Sequence, residues 1–433
     1  MGRFPGICKP NCINRWSTSM RTLVSNRAFT RFWSAGLCFL LAWWALHAVM
    51  LIHVFALTGS PFATGLIPVF ASLPGIVLGP IAGVLVDRWN RKQVMIWSAL
   101  ALAGLLVLTL PLASDVDVPV LYAIIFIQAM VMTFFSPAEN ALLPTLVHDE
   151  ALTTANSLNA LNDSLGRIVG PAVGAWILVQ YGFAATLVAC ALLYLAGWTL
   201  LIGLRDQRQH APNPSVPGMP ALVGSFWASF VEGLRVVRAR TYLVLAVAIF
   251  GLYMVADVPL SAILSAFMID SVGVSPEVFG TLMSVRGVTG LLGGLLVVFL
   301  SRRVHEARLL IGGLLLYGAS ILTMGVANSV IVAVLVLIPI GPAAAAIQTG
   351  LFTMLQKESP PGMRGRVFAL TGTVNGLITL VASIEAGGLG ETFGTRIVVI
   401  ASGCLHILPL LLTVTLIRAG GPSGRRAGNR EGA

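Results

Sequence analysis

Apolar stretches of about 20 residues recur along the whole chain, and they constrain its fold more than any other feature. Each is long enough to cross a hydrocarbon core of roughly 30 Å as a helix, which satisfies its own backbone groups in lipid. Of the 433 residues, 57% are hydrophobic and 10% are charged, against roughly 25% charged residues in a soluble domain. We therefore expect an all-α membrane protein whose chain crosses the bilayer repeatedly.

Twelve membrane spans are predicted, in two sets of six. The first set lies near Phe32–Leu57, Pro61–Val86, Val94–Leu112, Val120–Leu143, Leu158–Val179 and Phe183–Leu204. The second set lies near Tyr242–Met268, Val278–Leu300, Leu309–Val326, Val330–Leu355, Val367–Gly387 and Ile397–Ile417. The sequence thus predicts two six-helix bundles.

An internal repeat supports two related halves. Ser60-Pro61, Gly65, Gly75 and Gly79 recur as Ser275-Pro276, Gly280, Gly290 and Gly294, displaced by 275 − 60 = 215 residues. The predicted organisation is an N-terminal tail (1–30), a first bundle (31–204), a proline-rich connection (205–240), a second bundle (241–418) and a C-terminal tail (419–433). The end of the connection, Phe226–Arg238, is expected to form a short amphipathic helix at the membrane interface.

Basic residues gather on one side of the predicted topology. Of the 27 lysines and arginines, only Arg167, Arg286 and Arg396 lie elsewhere, which leaves 27 − 3 = 24. The positive-inside rule makes that side cytoplasmic, so both termini and the connection are expected in the cytosol of a bacterium, with the protein in its inner membrane. The net charge of +10 therefore reflects topology rather than nucleic-acid binding, and we expect a monomer in contact with membrane lipid.

Other features of the sequence exclude several classes of protein. The five cysteines are scattered, so neither a disulfide framework nor a metal site is expected. The sequence contains no nucleotide-binding loop, metal-ligand helix or hydrolytic triad, so we expect no enzyme and no cofactor. The basic start leads into an apolar run too long for a cleavable signal peptide, and Met20 is an alternative start.

The loop between the second and third spans carries the most specific motif, Gly79 to Lys92. It resembles the loop motif of the major facilitator superfamily, with Asn90 where that family usually has glycine. Glycines spaced by four let membrane helices approach closely. The resemblance implies that the acid of the motif, Asp87, helps to hold the two halves together on the cytoplasmic face. The alternative is that the basic residues of the motif only set the orientation of the protein in the membrane. The gating residues are then Gly79, Gly83, Asp87, Arg88, Arg91 and Lys92.

A second motif lies in the fifth span, Gly166-x-x-x-Gly170-Pro171-x-x-Gly174. It resembles the core of the antiporter motif of exporters in the same superfamily, although Ser157 replaces the upstream glycine. The proline bends the helix and favours a gating pivot, and tight packing alone is the alternative. Further segments, such as Arg364 to Phe368, are similar to the branch containing macrolide-efflux and siderophore-export proteins.

Charged groups at membrane depth are functional candidates because burying each costs roughly 2.5 to 3.5 kcal/mol. Asp257, just before Pro259 in the seventh span, is the first candidate for proton coupling; the alternatives are that it lies in a wet outer vestibule or only pairs with Arg286 of the next span. Asp163 and Arg167 are four residues apart, a spacing that favours a structural ion pair. The remaining acids that are candidates for protons or a cationic substrate are Glu139 and Glu385.

Histidine titrates near neutral pH, which makes His47 in the first span a further candidate. His53 is six residues away, on a different helix face. Where relatives often have an acid in this span, the sequence has Trp43 and Trp44, which favours aromatic contacts with a substrate. Gln128 stands in place of an arginine known from the fourth span of other proton-coupled exporters.

The sequence therefore predicts a proton-driven exporter of small amphipathic molecules, such as an antibiotic or a siderophore, that works by alternating access. One alternative is a lysophospholipid flippase of the same superfamily. Another is a membrane sensor or scaffold that transports nothing and binds partners through its tails.

Overall fold

The computed structural model describes residues 22–23, 25–113, 116–204, 230–301, 304–327, 329–360 and 363–418. Within these ranges, eleven segments are long and apolar enough to cross a membrane. The longest, Thr154–Ile202, contains a break at Gly182, so it makes two spans and brings the number to twelve. The predicted all-α fold is confirmed. The tails and most of the connection lie outside the described residues.

We number the membrane helices α1 to α12. They are α1 (Arg27–Thr58), α2 (Pro61–Arg88), α3 (Arg91–Thr109), α4 (Val118–Leu146), α5 (152–181), α6 (183–202), α7 (Thr241–Ala266), α8 (Pro276–Leu300), α9 (Glu306–Val326), α10 (Val330–Glu358), α11 (Arg364–Phe393) and α12 (Thr395–Leu405 with Ile407–Arg418). The last span was predicted as continuous, but it breaks at His406. Pro409 explains this break because it has no N–H for the Leu405 carbonyl.

The sequence repeat has a structural meaning at the starts of α2 and α8. Ser60 caps α2 by accepting a hydrogen bond from the backbone N–H of Ala63 at 3.1 Å, and Ser275 caps α8 in the same way. A proline follows each cap, where its missing N–H costs nothing. The structure extends the repeat, because Gly182 and Gly394 join α5 to α6 and α11 to α12 with φ of 83° and 86°. Only glycine adopts such angles without strain.

The buried side chains separate into two hydrophobic cores. One is built from residues between Leu23 and Leu204, and the other almost wholly from residues between Val237 and Val399. Residues 230–238 of the connection are helical, as predicted. This short helix is attached to the start of α11 through an ion pair of 2.6 Å between Glu232 and Arg366.

The two halves meet along two helix pairs, α2 with α11 and α5 with α8. Gly65 near the start of α2 has no room for a Cβ, which would lie 2.8 Å from the carbonyl oxygen of Ser383. Its repeat partner Gly280 is equally crowded by the carbonyl oxygen of Pro171, at 2.9 Å. The halves are therefore packed tightly at the end of the molecule that carries the α1–α2 loop, which we call the closed face.

The other end, which carries the α2–α3 loop, is the open face. A Cβ at Gly79 or Gly83 of α2, or at Gly294 of α8, would have no described atom within 4 Å. The expectation that Gly79 and Gly83 bring helices into close approach is therefore wrong for this conformation, because these glycines lie where the halves are apart. Among the described residues, these glycines of the two bundles are thus closely packed at the closed face and not at the open face.

Candidate substrate and proton site

The second half contains a polar cluster at membrane depth, built on α7. Tyr253 and Asp257 are four residues apart and so share one helix face. Three neighbouring helices complete the cluster with Arg286 from α8, Tyr317 from α9 and His406 at the break in α12. Tyr253, Tyr317 and His406 are buried, whereas Asp257 and Arg286 are half-buried.

Tyr317 connects the two charged groups of this cluster. Its hydroxyl group donates a hydrogen bond to Oδ1 of Asp257, and its oxygen accepts one from Nη2 of Arg286 at 3.4 Å. Asp257 and Arg286 have no N···O contact within 4.0 Å of each other, so the simple ion pair considered from sequence is not formed. The acid and the base are instead linked through a phenol that can respond to either of them.

Three aromatic rings surround this link. The ring centroids of Tyr317 and His406 are 5.0 Å apart, and that of Tyr253 lies 6.1 Å from Tyr317 and 5.8 Å from His406. Nδ1 of His406 lies 2.8 Å from the carbonyl oxygen of Ser402, which can only accept, so Nδ1 carries the proton. Its Nε2 is buried without a partner among the described residues.

The candidates of the first half lie on α1, α4 and α5. Asp163 and Arg167 form the predicted ion pair, and Asp163 also accepts a hydrogen bond from Nε1 of Trp44 at 3.0 Å. The guanidinium of Arg167 lies 4.9 Å from the centre of the Trp44 ring, in cation–π contact. The side chains of Arg167 and Asp163 are exposed and the indole ring is half-buried, so this group can contact an amphipathic molecule. Glu139 is buried nearby on α4.

The other titratable candidates are two histidines of α1 and an acid of α11, and only His47 lies beside a residue of either cluster. His47 lies beside Trp43 and Trp44, with its Nδ1 buried and without a partner among the described residues. His53 is stacked on Phe183, with the ring centroids 4.2 Å apart. Glu385 is exposed on α11, outside both clusters.

The basic residues of the α2–α3 loop bind within their own half. Nη1 of Arg91 donates to the carbonyl oxygen of Ala141 at 3.0 Å. Nζ of Lys92 donates to the carbonyl oxygens of Ile202 at 3.3 Å and Leu204 at 2.5 Å, at the end of α6, where a cation is favourable. Arg88 is exposed, and the side chain of Asp87 lies outside the described part of the structure.

The glycines of the α5 motif form a face against α1. A Cβ at Gly166 would lie 2.8 Å from the carbonyl oxygen of Leu40, and one at Gly170 would lie 2.8 Å from the backbone nitrogen of Ala45. Gly174 also contacts Ala45. The tight packing considered from sequence is thus present. A pivoting role for this helix stays a prediction.

The opposite side of α5 contacts the other half. The carbonyl oxygen of Pro171 lies against Gly280, and the hydroxyl group of Ser284 donates to the carbonyl oxygen of Ile168. Pro171 leaves the carbonyl of Arg167 without its usual helical partner, and Gly287 lies close to this oxygen. The motif therefore lies where the halves touch.

Glu391 of α11 joins the halves on the closed face. Its carboxylate accepts hydrogen bonds from the hydroxyl group of Ser60 and from the backbone N–H of Phe62 at 3.2 Å. Both donors belong to the first turn of α2, where a negative charge is favourable. Sequence reasoning missed this residue because nothing in the chain pattern places the end of α11 beside the start of α2.

We expect Glu391→Gln to open the closed face. The amide cannot replace the attraction between the carboxylate and the helix dipole. The closed form should therefore be destabilised by about 1 kcal/mol relative to the open form, which lowers its population ratio roughly fivefold. Pulsed electron–electron double resonance between spin labels at positions 57 and 270, which replace Leu57 and Asp270, measures the change in distance across the closed face. Glu277→Gln removes an acid from the first turn of α8 and is the control. An unchanged distance distribution for Glu391→Gln contradicts the role of this contact.

The fold and the two clusters define a multi-pass membrane transporter. A family model described as a transmembrane secretion effector matches residues 18–420. The chain belongs to this family of major facilitator superfamily transporters.

Several curated relatives match most of the chain. Macrolide efflux protein A of Streptococcus pyogenes is 26% identical over 91% of this chain and 95% of its own length. The multidrug efflux pump Tap of Mycolicibacterium fortuitum is 28% identical, with 77% and 84% covered. The enterobactin exporter EntS of Escherichia coli is 25% identical, with 93% and 95% covered.

Solved structures share the fold. The nucleoside transporter NupG matches with a TM-score of 0.70 and 15% identity, over 90% of this chain and 99% of its own. A bacterial homologue of the iron transporter ferroportin matches with a TM-score of 0.70 and 16% identity, over 89% and 97%. Both comparisons bear on the fold alone.

Proposed function

We propose that this protein exports small amphipathic molecules, such as a drug, an antibiotic or a siderophore, by proton antiport. The observation that carries the proposal is Asp257, a half-buried carboxylate at membrane depth that accepts a hydrogen bond from a phenol, Tyr317, rather than pairing with a cation. The relatives, which include a macrolide efflux protein, a multidrug efflux pump and an enterobactin exporter, support the cargo class. The open face is cytoplasmic in this proposal, as are both termini.

Proton binding at Asp257 changes the link to Arg286. The ionised carboxylate attracts the hydroxyl proton of Tyr317, and the hydroxyl oxygen accepts from the guanidinium. Protonation removes the negative charge, which weakens the hydrogen bond to Tyr317 and leaves Arg286 without compensation. Arg286 lies on α8, next to Gly287 at the contact with α5. Protonation therefore alters the helix pair along which the halves must move.

The cargo binds in the first half against Trp44, Asp163 and Arg167. The indole ring supplies an apolar surface, and the ion pair supplies one group of each sign for the polar part of an amphipathic molecule. A role for Asp87 and its loop in closing the open face belongs to the same proposal. So does contact with membrane lipid as a monomer.

A gene deletion screened against toxic compounds and secreted metabolites tests the proposed function. We expect at least one amphipathic compound to accumulate in deletion cells, because its export route is lost. Collapse of the proton gradient in complemented cells should raise accumulation to the same level. Accumulation that deletion leaves unchanged for every compound would favour a sensor or scaffold. Lipid flipping by the reconstituted protein, without any effect on drug accumulation, would favour a flippase.

A further inference from the structure

A second acid is buried in the first half, away from the Asp257 cluster. Glu139 of α4 is 7% exposed, and it lies between Asn159 and Asn162 of α5 and Gly36 of α1. Asn162 is fully buried. We call these four residues the Glu139 pocket.

Gly36 makes room for the carboxyl group. A Cβ at this position would lie 2.6 Å from Oε1 of Glu139 and 3.2 Å from Nδ2 of Asn162, which is closer than real Cβ contacts. The same point lies 3.9 Å from Oδ1 of Asn159. The absence of a side chain on α1 thus lets three polar groups from two other helices meet at one place.

The pocket contains more hydrogen-bond acceptors than donors that reach them. Nδ2 of Asn162 donates to the carbonyl oxygen of Trp33 at 2.9 Å. Three buried oxygens remain without a donor among the described residues: Oε1 of Glu139, Oδ1 of Asn159 and Oδ1 of Asn162. The two amide oxygens can only accept, and so can Oε1 while the carboxyl group is ionised. A proton on the carboxyl group would supply a donor that these oxygens lack.

No cation compensates the carboxyl group in the described part of the chain. Glu139 has no salt bridge there, and the charged group that acts on it is Asp163 of α5, which has the same sign. Asp163 is itself bound to Arg167 and Trp44. On α1, the groups that face the pocket are the backbone carbonyl of Trp33 and Gly36, neither of which is charged. A buried carboxylate without a partner is unfavourable.

We propose that the Glu139 pocket is a second proton-binding site, which holds one proton on the carboxyl group while the open face is accessible. The proton converts one of the three acceptors into a donor, and an asparagine oxygen next to it receives the bond. The binding of a proton in the pocket is inferred from these contacts alone. The use of that proton in transport rests on the proposed proton antiport.

The depths of the two acids differ. Glu139 is 146 − 139 = 7 residues from the open-face end of α4, or about 10 Å at 1.5 Å per residue. Asp257 is 257 − 241 = 16 residues from the open-face end of α7, or about 24 Å. The acid of the first half thus lies nearer the open face than the acid of the second half.

Carbodiimide labelling tests the pocket without any cargo. Dicyclohexylcarbodiimide adds to a protonated carboxyl group in apolar surroundings, and mass spectrometry locates the acylurea. In the purified full-length protein we expect Glu139 to be labelled at neutral pH and about tenfold less at alkaline pH, where the proton is lost. Asp257→Asn should retain this labelling, and Glu139→Gln should abolish it.

Gly36→Ala supplies a second variant. Its Cβ displaces the carboxyl group, so labelling should fall, whereas Gly104→Ala, whose Cβ has no described atom within 4 Å, should leave labelling unchanged. A Glu139 that stays unlabelled at neutral pH in the wild-type protein overturns the proposal. Protection by sodium chloride relative to choline chloride at constant pH also overturns it, in favour of a sodium site. Labelling of Glu139 in a wild-type protein that exports no compound in response to a proton gradient would contradict the proposed function alone.

Discussion

Asp257→Asn abolishes efflux driven by a pH gradient in membrane vesicles, while exchange of labelled for unlabelled cargo continues. The amide has nearly the same shape and can still accept the hydrogen bond from Tyr317, but it cannot bind or release a proton. Loss of the charge-assisted bond alone is worth about 1.5 to 3 kcal/mol, which is roughly 10- to 150-fold in an equilibrium. The gradient-driven rate should therefore fall to background at every pH.

Asp270→Asn is the matched control for this variant. This control variant makes the same substitution in the same span, but at its closed-face end. The side chain of Asp270 is exposed there, in the π-helical turn after α7. We expect it to retain gradient-driven efflux. If Asp257→Asn also retains full activity at every pH, Asp257 takes no part in coupling, and the Glu139 pocket becomes the first candidate.

Much of the fold can be predicted from the sequence because lipid leaves the chain few choices. Apolar length fixes the spans, and the Ser-Pro pairs fix the starts of α2 and α8. The break at His406 and the repeated glycine links at Gly182 and Gly394 are harder to foresee, since a proline or glycine in a membrane helix marks either a kink or a contact. Which face is closed depends on packing between halves and cannot be read from one helix.

The candidate site could be predicted only in part. Asp257 and Arg286 stand out because a charge in an apolar span is rare. Tyr317 and His406 do not stand out, since aromatic residues are common in such spans, and α7, α9 and α12 meet only in the folded chain. The only sign of the cluster in the sequence is the spacing of four between Tyr253 and Asp257, which places these two side chains on one face of α7. Glu139 stands out in the same way as the other acids, but its buried neighbours on α1 and α5 cannot be foreseen from the sequence.

Gly280 offers the sharpest test of how the halves move. A Cβ at this position would lie 2.3 Å from Cβ of Ala175 and 2.9 Å from the carbonyl oxygen of Pro171, so Gly280→Ala cannot be accommodated without separating α8 from α5. Overpacking of this kind costs about 1 to 3 kcal/mol. The whole cost falls on the conformation in which the closed face is shut, because only there do these atoms meet.

The expected result is a shift of roughly 5- to 150-fold toward the form with the closed face open. Spin labels at Leu57 and Asp270 should report a longer distance, and transport should slow because the cycle must return through the disfavoured form. Gly312→Ala, in α9 of the same half, has no described atom within 4 Å of its Cβ and should change neither quantity. A normal distance with slow transport would mean that Gly280 affects the path between the two forms rather than their balance.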